Sequence, residues 1–275
     1  MDLTINDTVK LNNGVEIPRL GLGVYLSNPG AETQNAVKWA LEAGYRHIDT
    51  AAFYKNEKDV GHAIKQSNVP REEIFVTTKL WNEDHGYDSA LRAFDISLKN
   101  LGFTYIDLYL IHWPVSEKRR DSWKALETLL EEGRCRAIGV SNYTTRHLNE
   151  MLNYCTVVPA VNQVEFSPYL YQRGLLELCR SNKIQIEAYS PLARASKLKD
   201  PGLVSIAEQY DKSPAQILIR WALQHELVVI PKSVHKERII ENAGVYDFEI
   251  SDEDMKRLND FDENYRVAWD PSRIP

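Results

Sequence analysis

The chain has 275 residues, of which 43% are hydrophobic and 26% charged, the balance of a globular fold large enough to bury a core without disulfide or metal staples. Its net charge of −6 supplies no basic field and argues against nucleic acid or an anionic membrane surface as a partner. No run approaches the ~18 apolar residues of a membrane span, and residues 1–7 lack the basic-then-apolar order of a secretory leader.

The first predicted element is a hairpin. Val9-Lys10-Leu11 and Val15-Glu16-Ile17 alternate in polarity around Asn12-Asn13-Gly14, whose Asn-Gly pair tolerates the positive φ of a tight turn. Strand-like runs follow at residues 20–25, 45–48, 74–80, 106–113, 136–140, 161–166, 184–189 and 228–230. Those at Ile74-Phe75-Val76 and Leu108-Tyr109-Leu110-Ile111 are nearly continuous in hydrophobicity, as parallel strands covered on both faces require.

Between them lie stripes with helical spacing: Ala36, Val37, Ala40 and Leu41; Leu91, Phe94, Leu98 and Leu101; Leu148, Met151 and Leu152. Ser213-Pro214 supplies an N-cap and a first-turn proline, and Ser251 followed by Asp252, Glu253 and Asp254 caps a late helix.

Eight strands alternating with helices, with no linker between, predict one domain over residues 1–275. The expected fold is α/β, a (β/α)8 TIM barrel with an N-terminal β-hairpin and additional helices near the C-terminus. An open doubly wound sheet is the rival architecture. Cys135, Cys155 and Cys179 are odd in number and far apart, so they read as reduced thiols of a cytoplasmic protein, without zinc or a disulfide. A monomer is expected, with oligomers left open.

In a barrel, chemistry sits at the carboxyl ends of the strands. Asp49, Lys79 and His112 end three successive strand runs, and Tyr54 follows Asp49 by one short turn. A buried ammonium needs a counter-charge, which Asp49 supplies. Lys79 beside the Tyr54 hydroxyl is expected to favour the phenolate and ease loss of its proton. His112 offers a nitrogen to orient a carbonyl oxygen. Together they make a proton donor for a carbonyl receiving hydride, and the hydride must come from a cofactor.

These segments resemble the aldo-keto reductases along essentially the whole chain, and the compact bacterial and protozoan members with short loops in particular. Gly44-Tyr45-Arg46-His47-Ile48-Asp49-Thr50-Ala51 with Tyr54, Asn56 and Glu57 matches one signature. Val76-Thr77-Thr78-Lys79-Leu80-Trp81, the run from Ile106 to Pro114, and Ile230-Pro231-Lys232-Ser233-Val234 with Arg238, Glu241 and Asn242 match three more. The resemblance implies Tyr54 as general acid, tuned by Asp49 and Lys79, with His112 positioning substrate.

Gly21-Leu22-Gly23 does not complete a G-x-G-x-x-G fingerprint, in keeping with a family that lays NADPH across the barrel mouth. The resemblance places Gly23, Val24 and Tyr25 beside the nicotinamide, Ser141, Asn142 and Gln163 on its carboxamide, Tyr189 against its ring, and Ser190, Pro191 and Leu192 along the pyrophosphate. Lys232, Ser233 and Arg238, with Val234, Glu241 and Asn242 of the same signature, form the adenosine-phosphate end. Two cations and a hydroxyl at a helix start suit a phosphate and predict NADPH over NADH.

Tyr25, Trp81 and Trp113, joined by Trp269 or not, are expected to wall an apolar pocket above His112 for a small-molecule carbonyl substrate. No metal site is expected. Ser167 stands where the family usually has histidine, and Tyr25 where it often has tryptophan or phenylalanine. Arg194 is read either as an added clamp near the pyrophosphate path or as a solvent-facing side chain. A cofactor-binding sensor with little turnover is the alternative function.

Overall fold

The computed structural model describes residues 3–275; Met1 and Asp2, read above as part of a leaderless start, lie outside them. Strands β1 (Thr8–Lys10) and β2 (Glu16–Pro18) pair antiparallel, and Gly14 takes φ +88° in their turn. The hairpin inserts Leu11 and Ile17 into a cluster with Phe75, Leu108, Leu110, Val161 and Val228. It thereby stoppers the amino-terminal end of the barrel with apolar side chains.

The barrel strands are β3 (Leu22–Gly23), β4 (His47–Asp49), β5 (Phe75–Leu80), β6 (Ile106–Ile111), β7 (Cys135–Ser141), β8 (Val161–Glu165), β9 (Gln185–Tyr189) and β10 (Val228–Ile230). They pair parallel in strict chain order. Single bridges, Leu20 to Val229 and Gly23 to Lys232, bring the first strand back to the last. An open doubly wound sheet reverses its strand order partway, and this one does not.

The first strand is shorter than the sequence suggests. Regular pairing covers Leu22–Gly23; Gly21 bonds instead to the Val229 carbonyl at 2.8 Å, and Leu26 turns away with φ +59°.

Outside the strands run α1 (Ala31–Glu42), α2 (Glu57–Gln66), α3 (Tyr87–Leu101), α4 (Arg119–Glu131), α5 (Thr145–Leu152), α6 (Arg173–Ser181), α8 (Pro214–Gln224) and α9 (Lys236–Ala243). Two further helices, α7 (Pro201–Gln209) before α8 and α10 (Asp252–Asn259) near the C-terminus, lie beyond the repeating pattern. Ser213 caps α8 in a box with Gln216, and Ser251 caps α10 by accepting from the Asp254 amide, as their sequence signatures require. The α3 stripe is centred on Ala90, Ala93, Phe94, Ser97 and Leu101, leaving Leu91 and Leu98 half-buried.

Helices α2 and α3 meet at Gly61. A methyl group there would stand 2.0 Å from the Leu101 carbonyl oxygen, and backbone cannot swing aside as a side chain can. Gly61→Ala is therefore expected to lower stability by about 1–3 kcal/mol, the cost of overpacking. Chemical denaturation of the variant checks this; an unchanged midpoint would show that the helices slide apart freely.

Along β4 to β10 the inward-facing residues change character from bottom to top. Phe75, Leu108, Leu110, Val161 and Val228 form the apolar floor. Above it the same faces carry His47, Asp49, Thr77, Lys79, Gln163 and Glu187, all buried. Buried polar groups persist only where they satisfy one another or serve a ligand, so this upper layer marks the site.

Candidate active site

Lys79 enters the barrel from β5 and is fully buried. Its Nζ lies 2.7 and 2.8 Å from the two Asp49 carboxylate oxygens, 2.8 Å from the Thr50 carbonyl and 3.3 Å from the Tyr54 hydroxyl. The 3-10 turn Ala52–Tyr54, ended by Lys55 at φ +59°, brings the phenol back over the strand end. Gln163, from β8, donates to Asp49 Oδ2 at 2.7 Å. The two charges thus sit in a bidentate, hydrogen-bonded pair, the arrangement that offsets desolvation.

His112 follows β6, its ring centroid 5.6 Å from that of Tyr54 and 5.2 Å from that of Trp81. Burial, and then the Lys79 charge, push its pKa well below the usual imidazole value. The ring is therefore neutral at physiological pH, with one N–H and one lone pair. Its Nδ1 has no hydrogen-bond partner among the described residues.

The phenol departs from expectation. Tyr54 is pushed well above its ordinary value, by burial first and then by the charge of Asp49. Lys79 does not reverse this because Asp49, at hydrogen-bond distance, offsets much of its charge; its 3.3 Å contact with the hydroxyl acts instead on a phenolate once one forms. Tyr54 is held as the protonated phenol.

A cavity of about 680 Å³ opens above these groups, within the range of small-molecule and cofactor sites. It is lined by Asp49, Tyr54 and His112, and further along by Gly23, Tyr25, Ser141, Asn142, Gln163, Tyr189, Ser190, Pro191 and Leu192. Lys232, Ser233, Val234, Arg238, Glu241 and Asn242 line its far end. Two of the expected residues stand back from it. Lys79 lies behind Asp49 and Tyr54, and Val24 is buried, with its carbonyl accepting from Asn56 Nδ2 at 3.0 Å.

Internal bonds hold the floor in shape. Asn142, at φ +63°, donates to the His112 carbonyl at 3.0 Å and accepts from the Tyr189 hydroxyl at 2.7 Å. Ser141 Oγ donates to the Gln163 carbonyl at 2.8 Å. At the far end the His235 amide donates to Ser233 Oγ at 3.1 Å, just before α9. Burial lowers the Lys232 pKa, against the opposing charge of Glu32.

The aromatic wall is wider than the sequence indicated. Phe53 stacks on Trp81 with centroids 3.8 Å apart. Trp269 is 60% exposed, yet its ring centroid lies 5.8 Å from that of Trp113 and 6.2 Å from that of Phe53, and it lines the cavity. Glu165 anchors this tail by accepting from the amides of Val267 at 2.7 Å and Ala268 at 3.1 Å.

Phe53, inside the matched signature, and Val267, Ala268 and His235 also line the cavity, and no local sequence pattern marks them for it. Ser167 is buried in a tight turn with Leu170 and stays outside the cavity. Arg194 is exposed at the cavity edge, its guanidinium 5.9 Å from the Tyr25 ring centre.

Comparisons with known proteins agree with this geometry. The aldo/keto reductase family model matches residues 19–263. The 9,11-endoperoxide prostaglandin H2 reductase of Trypanosoma cruzi is 53% identical over 269 residues, covering 97% of this chain and 95% of that protein. The glyoxal reductase of Bacillus subtilis is 50% identical over 274 residues, covering 100% and 99% respectively. The crystal structure of a Bombyx mori aldo-keto reductase in complex with NADP is similar with a TM-score of 0.90 at 37% identity, covering 96% of this chain and 95% of that one. With a barrel closed in chain order and Asp49, Tyr54, Lys79 and His112 gathered at its mouth, this chain belongs to the aldo/keto reductase family.

Proposed function

We propose that the protein reduces aldehydes and ketones to alcohols with NADPH, small dicarbonyls and aromatic aldehydes among its substrates. The observation that carries this reading is the contact chain at the cavity floor, from Asp49 through Lys79 Nζ to the Tyr54 hydroxyl at 3.3 Å, with neutral His112 beside it. A reductase named for glyoxal and one named for a prostaglandin endoperoxide among the relatives, and an NADP complex among similar structures, support it.

The residues present fit NADPH. Lys232 and Arg238 line one end of the cavity, and neither is ion-paired among the described residues, as suits a phosphate-binding end. When bound, the cofactor supplies the hydride. Tyr54, held protonated, gives its proton to the carbonyl oxygen. The Lys79 ammonium then stabilises the phenolate left behind, and Asp49 keeps that ammonium aimed. His112 donates a hydrogen bond that orients the oxygen, and Phe53, Trp81, Trp113 and Trp269 exclude water from one side. A cytoplasmic location fits the three free thiols.

Two charge-assisted hydrogen bonds of about 1.5–3 kcal/mol each make NADH the weaker ligand, by a factor on the order of a hundredfold or more. Fluorescence titration of both cofactors checks this, and near-equal dissociation constants would reject the phosphate assignment. The overall reading is tested by steady-state turnover. Consumption of NADPH with a reactive aldehyde is expected, whereas tight binding without turnover over an aldehyde and ketone panel would make the protein a sensor.

A further inference from the structure

Deeper in the barrel than Asp49 lies a second carboxyl that the reaction above does not use. Glu187 of β9 is in register with Gln163 of β8 and Val228 of β10 and is completely buried. Neither of its carboxyl oxygens has a hydrogen-bond partner among the described residues. His47 Nε2 lies 3.6 Å from Oε1 and is itself 3.1 Å from Thr77 Oγ1, and the Gln163 amide, engaged by Asp49 at 2.7 Å, acts on Glu187 only secondarily.

The groups that face Glu187 can be taken strand by strand. β4 presents His47 and Asp49, β5 presents Lys79, β8 presents Gln163, and the Tyr54 phenol feels its charge from the mouth. β10 offers the apolar Val228.

Only one cation is available to two carboxyls. Burial, and then Lys79, push the His47 pKa down to about 3, so that ring is neutral. Asp49 takes both contacts from Lys79 and a third from Gln163, while Glu187 meets neither donor in a full hydrogen bond and feels Lys79 and Gln163 too weakly to offset burial and the Asp49 charge. Ionising both would leave a net negative charge in a dry interior. Burial raises both carboxyls, but Asp49 is held by Lys79 and Gln163, so the shared proton is assigned to Glu187, whose pKa burial and the nearby charge of Asp49 raise to about 8.

We propose that Glu187 is a positioning residue for the reaction: an uncharged carboxylic acid whose ionisation at alkaline pH puts a second negative charge beneath the Asp49–Lys79 pair and weakens Tyr54 as a proton donor. In that step the carboxyl O–H breaks and its proton passes to bulk water; nothing else is exchanged. The added charge acts twice. It competes with Asp49 for Lys79, and it opposes formation of the phenolate.

The proposal rests on Tyr54 being the acid, so its test has one readout that depends on turnover and one that does not. The first is kcat against pH, from about pH 6 to about pH 10, in the parent and in Glu187→Gln, each normalised to its own neutral value. The parent is expected to lose activity through a midpoint near 8, on the order of tenfold. The variant is expected to stay level through that range, a change that a merely structural role would not cause. The second readout is infrared difference spectroscopy over the same pH change. The carbonyl stretch of an un-ionised buried carboxyl should disappear in the parent and be missing from the variant at every pH.

An alkaline limb that keeps its midpoint in Glu187→Gln, or a parent spectrum without that band, overturns the proposal. If Tyr54 is not the acid, the infrared change survives and the activity difference does not, which separates the two failures. Should the Gln variant fail to fold, Glu187→Met fills the same space without a proton and carries the same two expectations.

Discussion

Replacing Tyr54 with Phe is expected to cut the rate of carbonyl reduction by ~10²–10⁴, the contribution of a positioned general acid, while leaving NADPH affinity nearly intact. The hydroxyl touches Lys79 Nζ at 3.3 Å. The ring keeps its packing against Tyr25, 4.9 Å away, and His112. What the substitution removes is therefore a proton and one long hydrogen bond, not a wall of the cavity.

In free-energy terms the loss is about 3–5 kcal/mol of transition-state stabilisation, and it should appear in kcat as much as in kcat/KM. Single-turnover reduction of an aromatic aldehyde, paired with fluorescence titration of NADPH, separates the two quantities. A rate within a fewfold of the parent would move the proton donor away from Tyr54.

The residues that govern this prediction were legible in the sequence for a physical reason. Asp49, Lys79 and His112 each end an apolar strand run, and parallel strands in chain order bring such ends to one rim. Helix caps were legible too, because Ser213 with Pro214 and Ser251 with its acidic turn act within a few residues of themselves.

Long-range placement was not legible. Trp269 reaches the pocket because Glu165 accepts hydrogen bonds from Val267 and Ala268, a tie across a hundred positions that leaves no local pattern. Glu187 lies in a strand run, Gln185–Tyr189, whose alternation suggests one polar, solvated face; in a closed barrel both faces are covered, and its polar face points inward. The direction of the Tyr54 shift is not legible in the sequence because burial of the phenol, its largest cause, arises only from the packed mouth. The Lys79 charge is committed to Asp49.

That commitment makes Lys79 the residue whose loss should harm both chemistry and folding. Lys79→Met is expected to lower turnover by at least ~10², since the phenolate loses its stabilising charge. It is also expected to destabilise the fold at neutral pH by about 3–5 kcal/mol, because Asp49 is left buried with no cation.

The destabilisation has a sign in pH. Without Lys79, only the Gln163 hydrogen bond still opposes burial at Asp49, which is already raised in the intact protein by desolvation, so its folded pKa rises further above the unfolded value. A carboxyl raised in this way favours the folded state below its unfolded pKa, near 4, and that contribution drains away as pH climbs toward the folded pKa. The stability gap between parent and variant should thus be small in acid and widen toward neutrality.

Denaturant titrations at several pH values test this, with the Asp49→Asn, Lys79→Met double variant as control, because removing both charges removes the unpaired one. A gap that stays constant with pH, or a double variant no more stable than Lys79→Met, would mean that the lost packing of the lysine stem sets the cost. Lys79 lies behind Asp49 and Tyr54, outside the cavity lining, so NADPH binding to the folded variant should survive. That survival separates a residue that tunes the acid from one that holds the cofactor.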